Sequence, residues 1–209
     1  MPTSATSAAP PPTTHLLYLH GFRSSPQSMK ARKVAERVAR DHPGVVWYCP
    51  QLPPSPREAL DGVRAATAHW PAARMAVVGS SLGGFYASAV AAERGCRVAL
   101  INPAVQPARD LARYIGQQTQ WHDPADSFFF QPRFIAELDA IGQATRQQEA
   151  RATPETFALI AKGDEVLDWR EMVARYPHAR LRLLDGGDHA VSDFDAHIDA
   201  LFDFLALAN

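Results

Sequence analysis

The chain has 209 residues, enough for one domain with a sizeable core and somewhat short for two. Its 22 acidic residues nearly cancel its 21 basic ones, and the basic ones (Arg32, Arg37, Arg40, Arg64, Arg74 and others) form no run or stripe, which argues against nucleic acid as a partner. Two cysteines, Cys49 and Cys96, cannot build the disulfide framework of a small secreted domain, and both are expected as reduced core residues.

The chain opens with MPTSATSAAPPPTT, which carries neither positive charge nor an apolar stretch. It therefore reads as a disordered leader, residues 1–14, ahead of a domain over 15–209, and not as a secretion signal or anchor. No apolar run approaches the roughly 18 residues of a membrane helix, so a soluble cytoplasmic protein with no membrane partner is expected.

Six short apolar segments follow as predicted strands: HLLYL from His15, VVWYC from Val45, MAVVG from Met75, RVALIN from Arg97, TFALIA from Thr156 and RLRLL from Arg180. Most are nearly continuous in apolar character, as strands buried on both faces are. Helical patterns alternate with them: Gln27 to Arg40, Arg57 to His69, Leu82 to Arg94, Asp168 to Tyr176 and Ala196 to Leu207. The alternation predicts an α/β fold, a mainly parallel six-stranded sheet with helices on both faces.

One connection is too long for a simple crossover: about fifty residues, Ala104 to Thr153, separate the fourth and fifth strands. This insertion holds WHDPADSFFFQPRF, with Trp121, Phe128, Phe129, Phe130 and Phe134, and then a polar helix-like stretch from Ile135 to Arg151. It is either a helical pair packed on the sheet edge or a partial lid and acyl-chain wall.

Chemistry concentrates at VVGSSLGGFYAS. A nucleophilic serine needs a sharp strand-to-helix turn, with glycines at two-residue spacing to let the backbone pack tightly. Only Gly79-Ser80-Ser81-Leu82-Gly83 fits; centring on Ser80 would demand glycines where Val78 and Leu82 stand. No lysine follows as in a phosphate loop, and dinucleotide-site spacing is missing. Ser81 is the expected nucleophile.

Its base and acid should arrive later in the order acid then histidine, on loops leaving the carboxyl ends of strands. KGDEVLDW supplies Asp164, and DGGDHAVSDF supplies His189, which Gly186 and Gly187 free to bend toward Ser81. Asp168 competes with Asp164, but with Glu171 it reads as a helix start. Asp185 and Asp188 flank the histidine too closely to orient it, and His197, His178, His42 and His69 sit in helical or pre-strand positions. The oxyanion donors are expected to be the amides of Leu82 and of Phe22 in YLHGF, with His20 an orienting or buried residue. With the second strand outside the first and the third on its other side, Phe22 would meet Ser81 at the reversal point of the sheet. The aspartates and histidines of DGGDHAVSDFDAH lack zinc or calcium spacing, so no metal is expected.

LLYLHGFRSSPQSMKA, PQLPPSP, VVGSSLGGFYA, INPAVQPARDL, KGDEVLDWR and GGDHAVSDF, in this order, resemble the YqiA-like family of small bacterial esterases within the α/β-hydrolase superfamily. The resemblance covers most of residues 15 to 207 and implies a compact hydrolase core lacking the first two strands of larger relatives. It also implies cleavage of carboxylic esters or thioesters, with Ser81, Asp164 and His189 as triad and Phe22 and Leu82 as donors. The leader is additional, and residues Gln117 to Arg151 match least.

The expected function is therefore a serine esterase or thioesterase acting on a small-molecule substrate without metal or organic cofactor. Arg23, Ser24, Trp121, Phe128 and Phe129 are expected to shape the substrate pocket. Two rivals share the scaffold: an acyltransferase using the same triad, and a small-molecule binding protein without turnover.

Overall fold

The computed structural model describes residues 11–121, 123 and 125–208. The elements run β1 (His15–Leu19), α1 (Met29–Asp41), β2 (Val46–Tyr48), α2 (Pro56–Thr67), β3 (Met75–Ser80), α3 (Leu82–Arg94) and β4 (Arg97–Ile101). Then come α4 (Pro107–Leu111), β5 (Gly116–Thr119), β6 (Ser127–Phe130), α5 (Pro132–Glu149), β7 (Thr156–Ala161), α6 (Trp169–Arg175), β8 (Arg180–Leu184) and α7 (Ile198–Leu205). The main sheet has six parallel strands in the order β2-β1-β3-β4-β7-β8. The direction of the strand order changes between β1 and β3, which are neighbours as the sequence predicts.

Because strand side chains alternate between faces, the continuous apolar runs feed two cores at once. Leu17, Leu19, Val77, Leu100 and Ile160 face α2, α3, α5 and α6. Leu16, Tyr18, Val78, Ile101 and Leu159 face α1 and α7. The outer strand β8 leaves Arg180, Leu181 and Arg182 exposed, and charges on an edge discourage pairing with another chain.

Helix starts follow local chemistry. Pro56 is the first residue of α2, and the Ser55 hydroxyl accepts from the Glu58 amide. Asp168 caps α6 by accepting from the Arg170 amide, the structural duty its D-x-x-E context predicts.

Two expectations change. Thr13 and Thr14, counted with the leader, are tied down: the Thr13 hydroxyl donates to the Leu205 carbonyl, its backbone pairs with Leu207, and the Thr14 amide donates to Arg74. Residues 1–10 of that leader lie outside the described residues. The insertion, in turn, contains an antiparallel hairpin, β5 with β6, pairing Gly116 with Phe130 and Thr119 with Ser127, in addition to helices. Its long helix α5 begins at Pro132, three residues before the predicted start, and packs on α2, α3 and α4.

Among the described residues no helix is long and apolar enough to cross a membrane. Both cysteines are free thiols, pushed up to about 12 by burial.

Leu100 lies on a central strand with no exposed surface. Leu100→Ala should cost about 2–5 kcal/mol in chemical denaturation; a cost under about 1 kcal/mol would contradict its place in the core.

Candidate active site

Ser81 stands between β3 and α3 with φ 55° and ψ −123°. A non-glycine residue in this region stores of order 1–3 kcal/mol of strain, tolerated only where the surroundings enforce it. They do so here: a methyl group on Gly79 would lie 2.3 Å from the Gly83 carbonyl oxygen, and one on Gly83 only 1.9 Å from that of Leu19. Neither glycine has room for any side chain. Ser80, by contrast, ends β3 as a buried strand residue.

The loop after β7 carries Asp164, whose side chain is 0% exposed. Its Oδ1 accepts the amides of Val166 and Leu167, each at 2.8 Å, and its Oδ2 accepts from His189 Nδ1 at 2.8 Å. A carboxylate can only accept, so the bonding pattern assigns the ring proton to Nδ1 and leaves Nε2 as an acceptor. Ser81 Oγ lies 3.0 Å from that Nε2. Hydroxyl, imidazole and carboxylate thus form one hydrogen-bonded chain, able to move a proton off the serine and hold the charge that results.

The other acids named from the sequence do different work. Asp185 pairs with Lys162 at the surface, Asp188 accepts from the amide and hydroxyl of Ser192, and His197 bonds Asp193. Among the described residues no group of three His, Cys, Asp or Glu side chains is arranged to hold a metal.

The histidine loop is held from three sides by residues that sequence reasoning passed over. Asn102, fully buried at the end of β4 with φ 41°, donates through its amide nitrogen to the carbonyls of Asp188 and His189 at 3.0 and 3.2 Å. Its Oδ1 accepts the Ala161 amide, so one side chain joins β4, the end of β7 and the histidine loop. Glu165 accepts the His189 amide at 3.0 Å. Lys30, in the first turn of α1, donates to the Ala190 carbonyl. Burial lowers Lys30 to about 8, opposed by the charges of Asp188 and Asp164. The available signal was the Asn-Pro pair ending the fourth strand, where asparagine tolerates a left-handed backbone.

On the other side of Ser81 lies the loop after β1. A methyl on Gly21 would stand 3.6 Å from Ser81 Oγ, which measures how closely this loop approaches. Among the described residues the amides of Phe22 and Leu82 donate to no protein acceptor. His20 is buried, with Nδ1 3.0 Å from the Gly21 carbonyl and Nε2 accepting the Leu52 amide, so it ties the PQLPPSP loop to this turn. The orienting role read for it from sequence fits that bonding.

A cavity of about 330 Å³ opens over these groups, bounded by Phe22, Leu82, Leu111, Tyr114, Leu167 and Trp121 together with Ser81 and His189. Of the five residues predicted to shape it, Arg23, Ser24 and Trp121 line its wall. Phe128 instead packs edge-on against Phe22 and borders an adjoining crevice, and Phe129 is 55% exposed and lines neither. The insertion therefore walls the cavity through α4, the turn after it and the tip of the hairpin, rather than through its phenylalanine run.

Asn102→Ala removes three bonds and strands the buried Ala161 donor, so stability should fall by about 3 kcal/mol. Hydrogen exchange at the Ala161 amide should rise more than at the Val77 amide; equal rises would show that Asn102 has no local clamping role.

Among solved structures the chain is similar to one of LipS and LipT, two metagenome-derived lipolytic enzymes, at 20% identity over 93% of this chain and 94% of that one, with a TM-score of 0.72. It is similar to α/β-hydrolase domain-containing protein 10 from mouse at 18% identity, covering 92% and 91%, with a TM-score of 0.65. Est1E from Butyrivibrio proteoclasticus, in its ferulic acid complex, matches at 15% identity over 93% and 88%, with a TM-score of 0.73. These likenesses establish the α/β-hydrolase fold. The sequence profile of an uncharacterised protein family matches residues 15–206. With that match spanning nearly the whole chain, and the motif blocks in their expected order, the chain belongs to UPF0227, the YqiA-like family.

Proposed function

We propose that the protein is a serine hydrolase that cleaves carboxylic esters or acyl thioesters of small molecules through an acyl-enzyme. The observation that carries this is the unbroken bonding from Ser81 Oγ through both nitrogens of His189 to the buried Asp164 carboxylate, at the floor of a mostly apolar cavity. The esterases and lipolytic enzymes that share the fold support the same reading.

In this mechanism Ser81 Oγ attacks the carbonyl carbon while His189 Nε2 takes its proton, and Asp164 stabilises the imidazolium without itself being protonated. The oxyanion is received by the Phe22 and Leu82 amides, whose protons have no protein acceptor among the described residues. Collapse expels the alcohol or thiol, protonated from His189. Water then repeats the sequence at the acyl-enzyme: His189 takes its proton, oxygen attacks, and Ser81 leaves with that proton restored. No metal or organic cofactor enters any step. A cytoplasmic site of action belongs to the same proposal, supported by two cysteines that remain free thiols.

Ser81→Ala should reduce turnover of 4-nitrophenyl butyrate by at least about 10³-fold while circular dichroism stays that of the wild type. Substantial remaining turnover would refute the assignment.

Lys30 adds a pH dependence. Charged below about 8, its ammonium grips the Ala190 carbonyl beside the base; neutral above that, it grips less. Turnover should therefore decline above about pH 8, and Lys30→Met should lower the plateau several-fold and flatten that limb. The sign for stability is opposite. With its folded value below the ordinary 10.5, the folded state binds fewer protons between the two values, so Lys30's contribution becomes more favourable as pH rises through that window. A limb that persists in the variant, or that tracks unfolding in the wild type, would remove Lys30 from the mechanism.

A further inference from the structure

We infer that the natural substrate carries a carboxylate or comparable anion, received in the cavity wall by the guanidinium of Arg23 together with that of Arg113. This deepens the esterase proposal and rests on it.

Arg23 directly follows Phe22 and has φ 58°, a left-handed conformation that a bulky residue adopts at a cost of order 1–2 kcal/mol. Such a cost calls for a compensating arrangement. In the structure it aims the side chain at the hairpin. Nη2 donates to the Thr119 hydroxyl at 2.9 Å, and Nε to the Thr119 carbonyl. The guanidinium carbon lies 4.1 Å from the centre of the Trp121 ring, and the Arg23 carbonyl accepts the Trp121 amide. The group is therefore fixed in position before any ligand arrives.

All of these partners are neutral. Guanidinium has five N–H donors, of which Thr119 takes two, and among the described residues Arg23 pairs with no carboxylate. Arg113 lines the same wall, its guanidinium carbon 5.0 Å from the Tyr114 ring, and likewise pairs with no carboxylate among the described residues. Of the remaining charges of the wall, Asp110 accepts from Arg109 through Oδ1 while its buried Oδ2 has no partner among the described residues, and Lys30 is committed to Ala190 while facing Asp164 and Asp188. Two arginines with no carboxylate partner of their own among the described residues thus reach a largely apolar cavity, where the half-buried Arg23 pairs an anion more strongly than in water and the exposed Arg113 adds charge from the rim. A planar, pre-ordered guanidinium suits a carboxylate or phosphate oxygen pair better than any neutral group.

The anion can sit on the acyl part of the ester or on its leaving group, and two matched pairs separate these. One compares mono-4-nitrophenyl adipate with 4-nitrophenyl hexanoate; the other compares 4-(hexanoyloxy)benzoate with its methyl ester. In at least one pair the anionic ester should be preferred about tenfold or more in kcat/KM, and added salt should erode the preference. Arg23→Gln and Arg113→Gln should each reduce that ratio about fivefold. Arg113 is exposed and outside the strained turn, so its variant tests the inference even if Arg23→Gln fails to fold. A ratio at or below one in both pairs, or a ratio unchanged in Arg113→Gln, would overturn it. Turnover of the neutral esters without discrimination would remove this inference alone, whereas turnover of none of the four would remove the esterase proposal with it.

Discussion

The structure depends on one steric constraint, the contact of α3 with β1 and β3 so close that neither Gly79 nor Gly83 could carry a methyl group. That contact forces the chain to turn within one residue after β3, which leaves Ser81 in a strained conformation with its hydroxyl above the carboxyl edge of the sheet. It also draws the end of β1 against the turn, so the loop bearing Phe22 lies beside Ser81. A strained residue persists only where packing over-determines it, and here the over-determination comes from backbone against backbone.

The parallel sheet supplies the second half of the site. Every loop leaving a strand at its carboxyl end opens onto the same rim, so residues far apart in the chain meet there without any special path. Meeting is not alignment, however. Asn102 provides alignment by holding carbonyls of the histidine loop and the last amide of β7 with one side chain, and Glu165 and Lys30 hold the same loop from either side. Each uses a hydrogen bond that a rotamer change would break, which is how a loop is kept to the tolerance a proton transfer requires.

How far the sequence revealed this depended on the range of each signal. Strands buried on both faces appear as unbroken apolar runs, which made β1, β3, β4 and β7 legible. The more exposed edge strands β2 and β8 showed through their shorter apolar or β-branched stretches, and the parallel arrangement with β1 beside β3 was legible too, with ends displaced by a residue or two at β2 and α1. Ser81, Asp164 and His189 were legible because glycine spacing and strand-end position are local, and the structure brings the three together. The β5–β6 hairpin was not. Its first strand, GQQT, has no apolar signal, and in SFFF the consecutive phenylalanines conceal a period of two, with Phe130 buried, Phe129 exposed and Phe128 between. Asn102 was only half legible: the Asn-Pro pair hints at its left-handed backbone, but its partners lie 59, 86 and 87 residues away and no local pattern records them.

At the centre of the proposed function stands a single proton path, from the Ser81 hydroxyl to an imidazole that Asp164 would keep in one tautomer. The most direct measurement is to treat the folded protein with a fluorophosphonate and locate the adduct by peptide mass spectrometry. If the path exists, one stoichiometric adduct forms on Ser81, and His189→Ala slows its formation by orders of magnitude. No adduct, an adduct on Ser80 or elsewhere, or labelling of Ser81 at the same rate without His189 would contradict it.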